Sequence, residues 1–284
     1  MNSKQDVAGG STLESDHEFP HLVSLQYARS STSAPSHFCG GSIISKKYIL
    51  TAAHCLSVQG MDTAKIKVVA GTSNRDCLSN GGSSSGSCIV RSITRAITHP
   101  NYNSQYIRND IGLLELSEDL PLDTQPDSVK AIPIEGGQIP WETLVLLAGW
   151  GRTTDASQDI PTVAQKAYLP VRQASVCNAQ NLGMQTPYQV CAGEGRGVNS
   201  CQGDSGGPLF WKKTTSSGTS YGLIGLVSYG PEGCGKSNSF GVYTNATYWI
   251  NYIKNYASDV SVSNFGSSTG GGGSGGNTCT CPSN

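Results

Sequence analysis

The sequence has few charged residues. Only 14% of its 284 residues are charged, and 19 basic against 20 acidic side chains give a formal net charge of −1. A basic face that binds nucleic acid or an anionic membrane surface is therefore not expected. No apolar run approaches the length of about 20 residues that a transmembrane helix needs. We accordingly expect a protein with neither nucleic-acid nor membrane partners.

The chain also shows no signal peptide, because residues 1–16, MNSKQDVAGGSTLESD, contain no apolar core segment. The ten cysteines nevertheless indicate an oxidising compartment, since thiols in the cytosol stay reduced. We therefore expect a soluble, secreted, extracellular protein whose signal peptide has been removed, with Met1 as an expression remnant. The even cysteine count favours disulfides, although the count alone does not fix their connectivity.

Short apolar or alternating segments between Gly, Ser, Asn and Pro clusters dominate the chain. They cover residues 22–27, 42–53, 65–71, 110–116, 143–150, 222–230 and 240–244. This rhythm predicts an all-β protein built of antiparallel barrels or sandwiches rather than βαβ units. Residues 118–127, EDLPLDTQPD, are a candidate linker between two strand-rich halves.

One segment, residues 245–256 (NATYWINYIKNY), has apolar residues at helical spacing and predicts a C-terminal helix. Asn245 or Thr247 could cap it. Asn245 also begins a glycosylation sequon, so a glycan and a capping role are both open.

The composition changes at Ser258. Residues 258–284 are poor in apolar side chains and include a glycine run, which predicts a flexible tail. The tail contains Cys279 and Cys281. A local disulfide or a bond to another chain is the favoured interpretation, because two thiolates would leave a zinc site half filled.

Three segments place reactive side chains along the chain in the order His, Asp, Ser. They are residues 50–55 (LTAAHC), 109–114 (NDIGLL) and 203–208 (GDSGGP). Each is weak evidence alone, because a single histidine or turn aspartate is more often structural. Together they closely resemble the chymotrypsin-like serine peptidases.

This resemblance covers residues 7–257. It implies two antiparallel six-stranded β-barrels, at about 20–120 and 128–244, followed by the C-terminal helix. It also implies a serine endopeptidase that acts through an acyl-enzyme, needs no cofactor and works as a monomer. Its expected partners are protein or peptide substrates and proteinaceous inhibitors.

The chemistry explains why these residue types occur together. Ser205 is a poor nucleophile at neutral pH, so it needs a base, and His54 can accept its proton and return it to the leaving amine. Asp110 would orient the imidazole and stabilise the imidazolium. The amides of Gly203 and Ser205 would form the oxyanion hole.

The other histidines have no matching motif and are expected in surface or loop roles. They are His17, His21, His37 and His99.

The resemblance also implies a disulfide pattern. Cys39 would pair with Cys55, Cys177 with Cys191, and Cys201 with Cys234 across the substrate pocket. Cys77 and Cys88 then remain, on either side of LSNGGSSSGS. Relatives often bind calcium in this loop, but Asp76 is the only nearby acid and calcium needs about six to eight oxygen ligands. We therefore expect a Cys77–Cys88 disulfide and no metal.

Residues 7–10, VAGG, resemble the mature N terminus of this family. Cleavage there frees an α-amino group, at Val7 in this chain, that pairs with the acid before the nucleophile, here Asp204. Without that partner, a buried Asp204 would be costly. Residues 1–6 are still present, so we expect an inactive precursor with a residual propeptide. The required cut follows Asp6, whereas activators of relatives commonly cut after Lys or Arg.

The residue before the scissile bond would enter a pocket that the resemblance also locates. Its base and walls are expected at Asn199, Ser200, Ser228, Tyr229, Gly230 and Gly241. The two glycines resemble those of open pockets that admit long or flat side chains. Ser228 could also hydrogen-bond Asp110, and the backbone of 228–230 could pair with an extended substrate.

Asn199 sets the expected preference. Trypsin-like members carry Asp there, and loss of such an ion-pair partner typically costs about 2–5 kcal/mol. We therefore predict cleavage after large neutral residues, namely Tyr, Phe or Leu, with Met or Gln as further candidates. Three alternatives stay open: Asn199 only fills space, cleavage follows Arg or Lys, or the protein is a non-catalytic homologue that binds partners. Such homologues normally lose a triad residue or an oxyanion glycine, and this chain retains them all.

Overall fold

The computed structural model describes residues 10–28, 30, 33–78, 88–154, 160–195, 197–216, 218–231, 233–234, 236–237 and 239–265. The propeptide, Val7, Cys279 and Cys281 lie outside the described residues. Within that part of the chain, no helix is long and apolar enough to cross a membrane.

The first half of the chain forms a closed antiparallel barrel. After a short strand β1 (Ser11–Thr12), its strands are β2 (Leu22–Tyr27), β3 (Ser36–Ile43), β4 (Tyr48–Thr51), β5 (Ile66–Ala70), β6 (Ile89–Thr98) and β7 (Gly112–Leu116). They close in the order β2-β3-β4-β7-β6-β5. A short helix α1 (Ala53–Leu56) follows β4, and two 3₁₀ turns lie at Thr63–Lys65 and Arg75–Leu78.

The second half forms another closed barrel. Its elements are β8 (Ile134–Glu135), β9 (Leu144–Gly149), β10 (Gln165–Arg172), α2 (Ala174–Asn178), β11 (Gln189–Ala192), β12 (Pro208–Thr215), β13 (Gly218–Tyr229), β14 (Gly241–Asn245), α3 (Ile250–Lys254) and β15 (Val262–Ser263). The ring runs β12-β9-β10-β11-β14-β13 and closes through the β12–β13 pairing. The predicted all-β fold of two six-stranded barrels is confirmed.

Strand alternation explains how the barrels pack against each other. In β2, Val23 and Leu25 point into the first barrel, whereas Leu22 joins an apolar cluster shared with the second barrel. In β9, Val145 and Leu147 fill the second barrel and Leu146 faces the shared cluster. Successive residues of a strand point to opposite faces, so one apolar strand can serve two cores.

The C-terminal helix is shorter than predicted. The structure places α3 at Ile250–Lys254, and Asn245 is the last residue of β14. Asn245 Oδ1 accepts a hydrogen bond from the Tyr248 amide at 3.3 Å, and its Nδ2 donates to the Pro187 carbonyl at 2.8 Å. Both polar atoms of the side chain are thus used in the fold. The N-cap residue of α3 is Trp249, without a side-chain cap, so the prediction that Asn245 or Thr247 caps the helix is wrong.

The segment after Ser258 also differs from the prediction of a flexible tail. Strand β15 pairs in parallel with β8, and Val260 is buried. The fully buried Glu135 carboxylate accepts hydrogen bonds from the Phe265 amide at 2.9 Å and the Ser263 hydroxyl at 2.8 Å. A few apolar contacts and one buried acid therefore dock residues up to 265 against the second barrel, despite their polar composition.

Candidate active site

His54 and Asp110 form a direct pair between the two barrels. His54 lies in α1, directly after β4, and Asp110 lies two residues before β7, which pairs with β4. The His54 amide donates to Asp110 Oδ1 at 2.8 Å, and the ring Nδ1 lies 2.8 Å from Asp110 Oδ2. Because a carboxylate only accepts, Nδ1 carries the proton and the lone pair of Nε2 is available.

The second barrel completes the surroundings of Asp110. The Ser228 hydroxyl donates to Asp110 Oδ2 at 2.6 Å, and the Thr244 hydroxyl donates to the Asp110 carbonyl at 2.7 Å. Burial alone would raise the pKa of Asp110, but the His54 and Ser228 hydrogen bonds together hold that pKa below its usual value. Asp110 is therefore an anion at neutral pH, as its predicted role requires.

Ser205 lies in a turn that requires glycine beside it. Gly206 has φ +73°, and a Cβ there would lie 2.8 Å from the Gly40 carbonyl oxygen. The same close approach lets the Gly40 amide donate to the Ser205 carbonyl at 2.7 Å. Ser205 and His54 line one open cavity of about 540 Å³. The other side chains of this cavity are mostly apolar, including Tyr27, Phe38, Val58 and Met61.

His37 holds the backbone that precedes Ser205. The sequence predicted a surface or loop role for His37, but this residue is buried, with Nε2 2.8 Å from the Gly203 carbonyl and Nδ1 2.8 Å from the Ser24 hydroxyl. Since a carbonyl only accepts, Nε2 carries the proton and Nδ1 accepts from Ser24. Burial lowers the pKa of His37 to about 4, so the ring is neutral at neutral pH. The carbonyl between Gly203 and Asp204 is thereby held from one side, next to Gly203, whose φ is +106°.

Asp204 is a second, fully buried acid, directly before Ser205 in the chain. Its Oδ1 accepts from the Gly151 amide at 2.7 Å and its Oδ2 from the Cys201 amide at 3.0 Å. Burial raises the pKa of Asp204 to about 6. Among the described residues no cationic side chain pairs with this carboxylate. The predicted partner, Val7, lies outside the described residues.

Asn199, the predicted base of the substrate pocket, is buried. Its Nδ2 donates to the hydroxyl of Ser239, which is also buried. Ser239 comes from the segment just before β14 and was not among the predicted site residues. A buried amide bonded to a hydroxyl gives this position polarity without charge.

The remaining predicted pocket residues lie at the ends of two paired strands. Ser228 and Tyr229 end β13, Gly241 begins β14, and Tyr229 pairs with Val242. A Cβ at Gly230 would approach the Gly241 Cα to 3.9 Å, so the two glycines lie next to each other. Ser200 follows Asn199 directly and is half-buried. The structure thus brings the predicted wall residues together.

All four predicted disulfides are present. They join Cys39 to Cys55, Cys77 to Cys88, Cys177 to Cys191, and Cys201 to Cys234. Within the described ranges, Cys39, His54 and Cys55 are the one set of His, Cys, Asp or Glu residues whose ligand atoms cluster closely. Both sulfurs of that set are bonded to each other, so they offer no thiolate to a metal.

Several residues that shape the site carried no sequence signal. Ser24, His37, Ser239 and Thr244 act through contacts between segments that are far apart in the chain. The one sequence signal that could have linked such a residue to the site is the position of His37, two residues before Cys39 and the Gly40-Gly41 pair.

Comparison with known proteins agrees with this geometry. Residues 8–253 match the family described as Trypsin. Trypsin of Sus scrofa is 33% identical over 250 residues, covering 87% of this chain and 94% of the relative. Trypsin Blo t 3 of Blomia tropicalis is 35% identical over 245 residues, covering 84% and 82%.

Melanization protease 1 of Drosophila melanogaster is 34% identical over 261 residues, which are 88% of this chain and 64% of that relative. This chain therefore spans less than two thirds of that protein. The family match and the trypsin relatives both cover most of the chain, including the segments of His54, Asp110 and Ser205. The chain belongs to the trypsin family of chymotrypsin-like serine peptidases.

Proposed function

We propose that this protein is a secreted endopeptidase that cleaves peptide bonds after large neutral residues through an acyl-enzyme. The observation that carries the proposal is the double hydrogen bond between the buried Asp110 and His54, which lines one cavity with Ser205. The four disulfides favour an extracellular setting, because such bonds persist where conditions are oxidising. Synthesis as a precursor, activated at Val7, and action as a monomer complete the proposal.

The hydrogen-bond pattern supports a definite proton path. With its proton on Nδ1 and directed at Asp110, His54 presents Nε2 to take the proton of Ser205 as that oxygen attacks the substrate carbonyl. The imidazolium that forms is stabilised by Asp110 and then protonates the leaving amine. Water repeats the same steps in reverse on the acyl-enzyme.

The turn around Ser205 supplies the electrostatic part of the reaction. In the proposed mechanism the amides of Gly203 and Ser205 donate to the oxyanion. Loss of one such donor typically raises the barrier by about 2.7–4 kcal/mol. The His37 bond holds the Gly203 carbonyl, which lies in the peptide between Gly203 and Asp204 and thus next to the peptide that carries the Gly203 amide.

The proposed specificity depends on Asn199. A buried Arg or Lys side chain of the substrate would meet a neutral amide instead of a carboxylate, so its charge would lack an ionic partner. A large neutral side chain has no such cost. The adjacent glycines 230 and 241 add no side chain of their own to the proposed pocket.

A second candidate is trypsin-like cleavage after Arg or Lys. It is favoured by the names of two relatives, Trypsin of Sus scrofa and Trypsin Blo t 3 of Blomia tropicalis. Asn199 argues against it.

Peptide-library cleavage by material confirmed to start at Val7 tests the proposal. We expect dominant cleavage after Tyr, Phe or Leu, loss of cleavage in Ser205→Ala, and a move toward Arg and Lys in Asn199→Asp. Dominant cleavage after Arg by the unaltered enzyme would refute the proposed specificity. Cleavage that persists in Ser205→Ala, or failure of a serine-directed phosphonate to label Ser205, would refute the proposed chemistry.

A further inference from the structure

A single buried glutamine joins both barrels next to the site. Gln189 is the first residue of β11 and is 7% exposed. Its Oε1 accepts hydrogen bonds from the Gln185 amide at 2.8 Å, the Tyr229 hydroxyl at 3.3 Å and Arg108 Nη1 at 3.4 Å. Its Nε2 donates to the Ile107 carbonyl at 3.4 Å. One amide thus binds four groups.

The groups that Gln189 holds belong to different segments. Tyr229 ends β13 in the second barrel, whereas Ile107 and Arg108 belong to the loop of the first barrel that leads into Asp110. Burial raises the pKa of Tyr229, so its hydroxyl keeps the proton that it donates to Gln189. The contact therefore connects Tyr229, the proposed substrate wall, to the loop that leads into Asp110.

That loop has an unfavourable backbone. Ile107 has φ +48° and Asn109 has φ +53°, and a β-branched residue rarely occupies this left-handed region. Such conformations persist only where surrounding contacts fix them. Gln189 fixes the Ile107 carbonyl, and Arg108 Nη2 donates to the Gly183 carbonyl at 2.8 Å.

We propose that Gln189 is a positioning residue that fixes Tyr229 and the 107–108 loop as the surface on which substrate residues preceding the scissile bond lie. This inference rests on the proposed endopeptidase function and on Tyr229 as a substrate wall. A substrate that occupies only the pocket at Asn199 depends on that surface only where Tyr229 borders the pocket. An extended peptide, which would pair with the backbone of 228–230, depends on all of it.

Two substitutions separate the hydrogen bonds from the volume of the side chain. Gln189→Leu has a similar size and removes all four bonds. Gln189→Glu keeps an oxygen that accepts from Gln185, Tyr229 and Arg108. It replaces the donation to Ile107 with a repulsive oxygen–oxygen contact, which the stronger, charge-assisted bond from Arg108 of the same loop offsets. The glutamate is therefore the conservative variant that should rescue function.

The assay compares two anilide substrates with the same residue before the scissile bond, one with a single acylated residue and one with four residues. We expect Gln189→Leu to lower kcat/KM for the long substrate about tenfold, mainly through KM, and to change the short one by less than about twofold. Gln189→Glu should stay within about threefold of the unaltered enzyme on both substrates. Titration of Ser205 with a phosphonate sets the active concentration, so misfolding alone does not alter the result.

Equal losses on the two substrates, or no loss on the long one, would overturn the inference, as would a Gln189→Glu variant as impaired as Gln189→Leu. If Gln189→Leu does not fold, Tyr229→Phe removes a single bond to the amide, keeps the ring that borders the pocket, and should lower kcat/KM more for the long substrate than for the short one. An unchanged Tyr229→Phe would then count against the inference. An unaltered enzyme that cleaves neither substrate would instead refute the proposed function.

Discussion

Asp110 and Asp204 are two buried carboxylates in the candidate active site, and their pKa values depart from the usual value in opposite directions. The pKa of Asp110 is held below its usual value, whereas the pKa of Asp204 is raised to about 6. Burial acts in the same sense on both. Asp110 gains an imidazole and a hydroxyl as partners, while Asp204 receives two backbone amides.

The difference shows what each acid can contribute. Two neutral amides do not fully compensate a buried charge, so Asp204 gains from a cation that reaches it. That is the physical reason why a new α-amino group could act as a switch at Asp204. Asp110 already has its hydrogen-bond partners within the fold, so its charge does not need a new α-amino group to be stabilised.

Replacement of Asp110 by asparagine is expected to have the largest effect. The amide would keep the shape of the side chain but would favour the wrong tautomer of His54. Rates in this class of enzyme typically fall about 10⁴-fold after such a change. A portion of the enzyme is titrated with a phosphonate to give the active concentration, and single-turnover hydrolysis by the rest at neutral pH measures the rate of the chemical step. A loss below about tenfold in that rate would contradict the proposed role of the Asp110–His54 pair.

Replacement of Asp204 by asparagine comes next. In activated material the new amino group would lack its anionic partner, so the Gly203 amide would not be held in place. We expect kcat/KM to fall about 10²- to 10³-fold, the usual cost of one oxyanion donor. The same substitution in the uncleaved chain serves as the control, because it should not unfold the protein at neutral pH. Full activity of the activated variant would exclude Asp204 as the activation partner.

The pH dependence of stability is the third and smaller effect. The pKa of Asp204 is higher in the folded chain, about 6, than the ordinary value of 3.8. Its stabilising contribution is therefore complete below about pH 4 and is lost as the pH rises through about 6. Relative to Asp204→Asn, the uncleaved chain should lose about 3 kcal/mol of unfolding free energy across that window.

Urea unfolding of both proteins at several pH values tests this prediction. Asparagine retains an acceptor for only one of the two backbone amides, which lowers the unfolding free energy of the variant by the same amount at every pH. The pH dependence of the difference between the two proteins therefore reports only the ionisation of Asp204. Buried His21 and His37, whose pKa values are lowered to about 3 and 4, act in the opposite sense, and the difference between the two proteins removes their contribution. A difference that is flat with pH would mean that Asp204 has a neutralising partner in the uncleaved chain.

The contrast between the two acids also marks what the sequence could predict. The strand rhythm predicts an all-β fold, and the family resemblance carried by the segments of His54, Asp110 and Ser205 implies the two barrels, the disulfides and the pairing of Asp110 with His54 and Ser228. These features depend on local patterns or on a close family resemblance.

Features that depend on distant contacts were not predictable. The strand β6 was missed because only Ile89, Ile93 and Ile97 are buried in it, and a bulge between Ile93 and Arg95 breaks its alternation. His37 looked like a loop residue because its partners, Ser24 and Gly203, are remote in sequence. Glu135 likewise gave no sign that it would dock the segment after Ser258.

The smallest predicted effect is that of removing one hydrogen bond from Asp110. Ser228→Ala removes the hydroxyl that donates to Asp110 Oδ2 while the His54 bond remains, so the pKa of Asp110 should rise toward its usual value. We expect kcat/KM to fall no more than about tenfold, because a hydrogen bond to a charged group is worth about 1.5–3 kcal/mol and His54 takes up part of the loss. A pH–rate profile at low pH measures it, with Thr244→Val, which loses the bond to the Asp110 backbone, as the matched control. A loss as large as that of Asp110→Asn would mean that Ser228, and not the charge of the acid, keeps His54 in its productive tautomer.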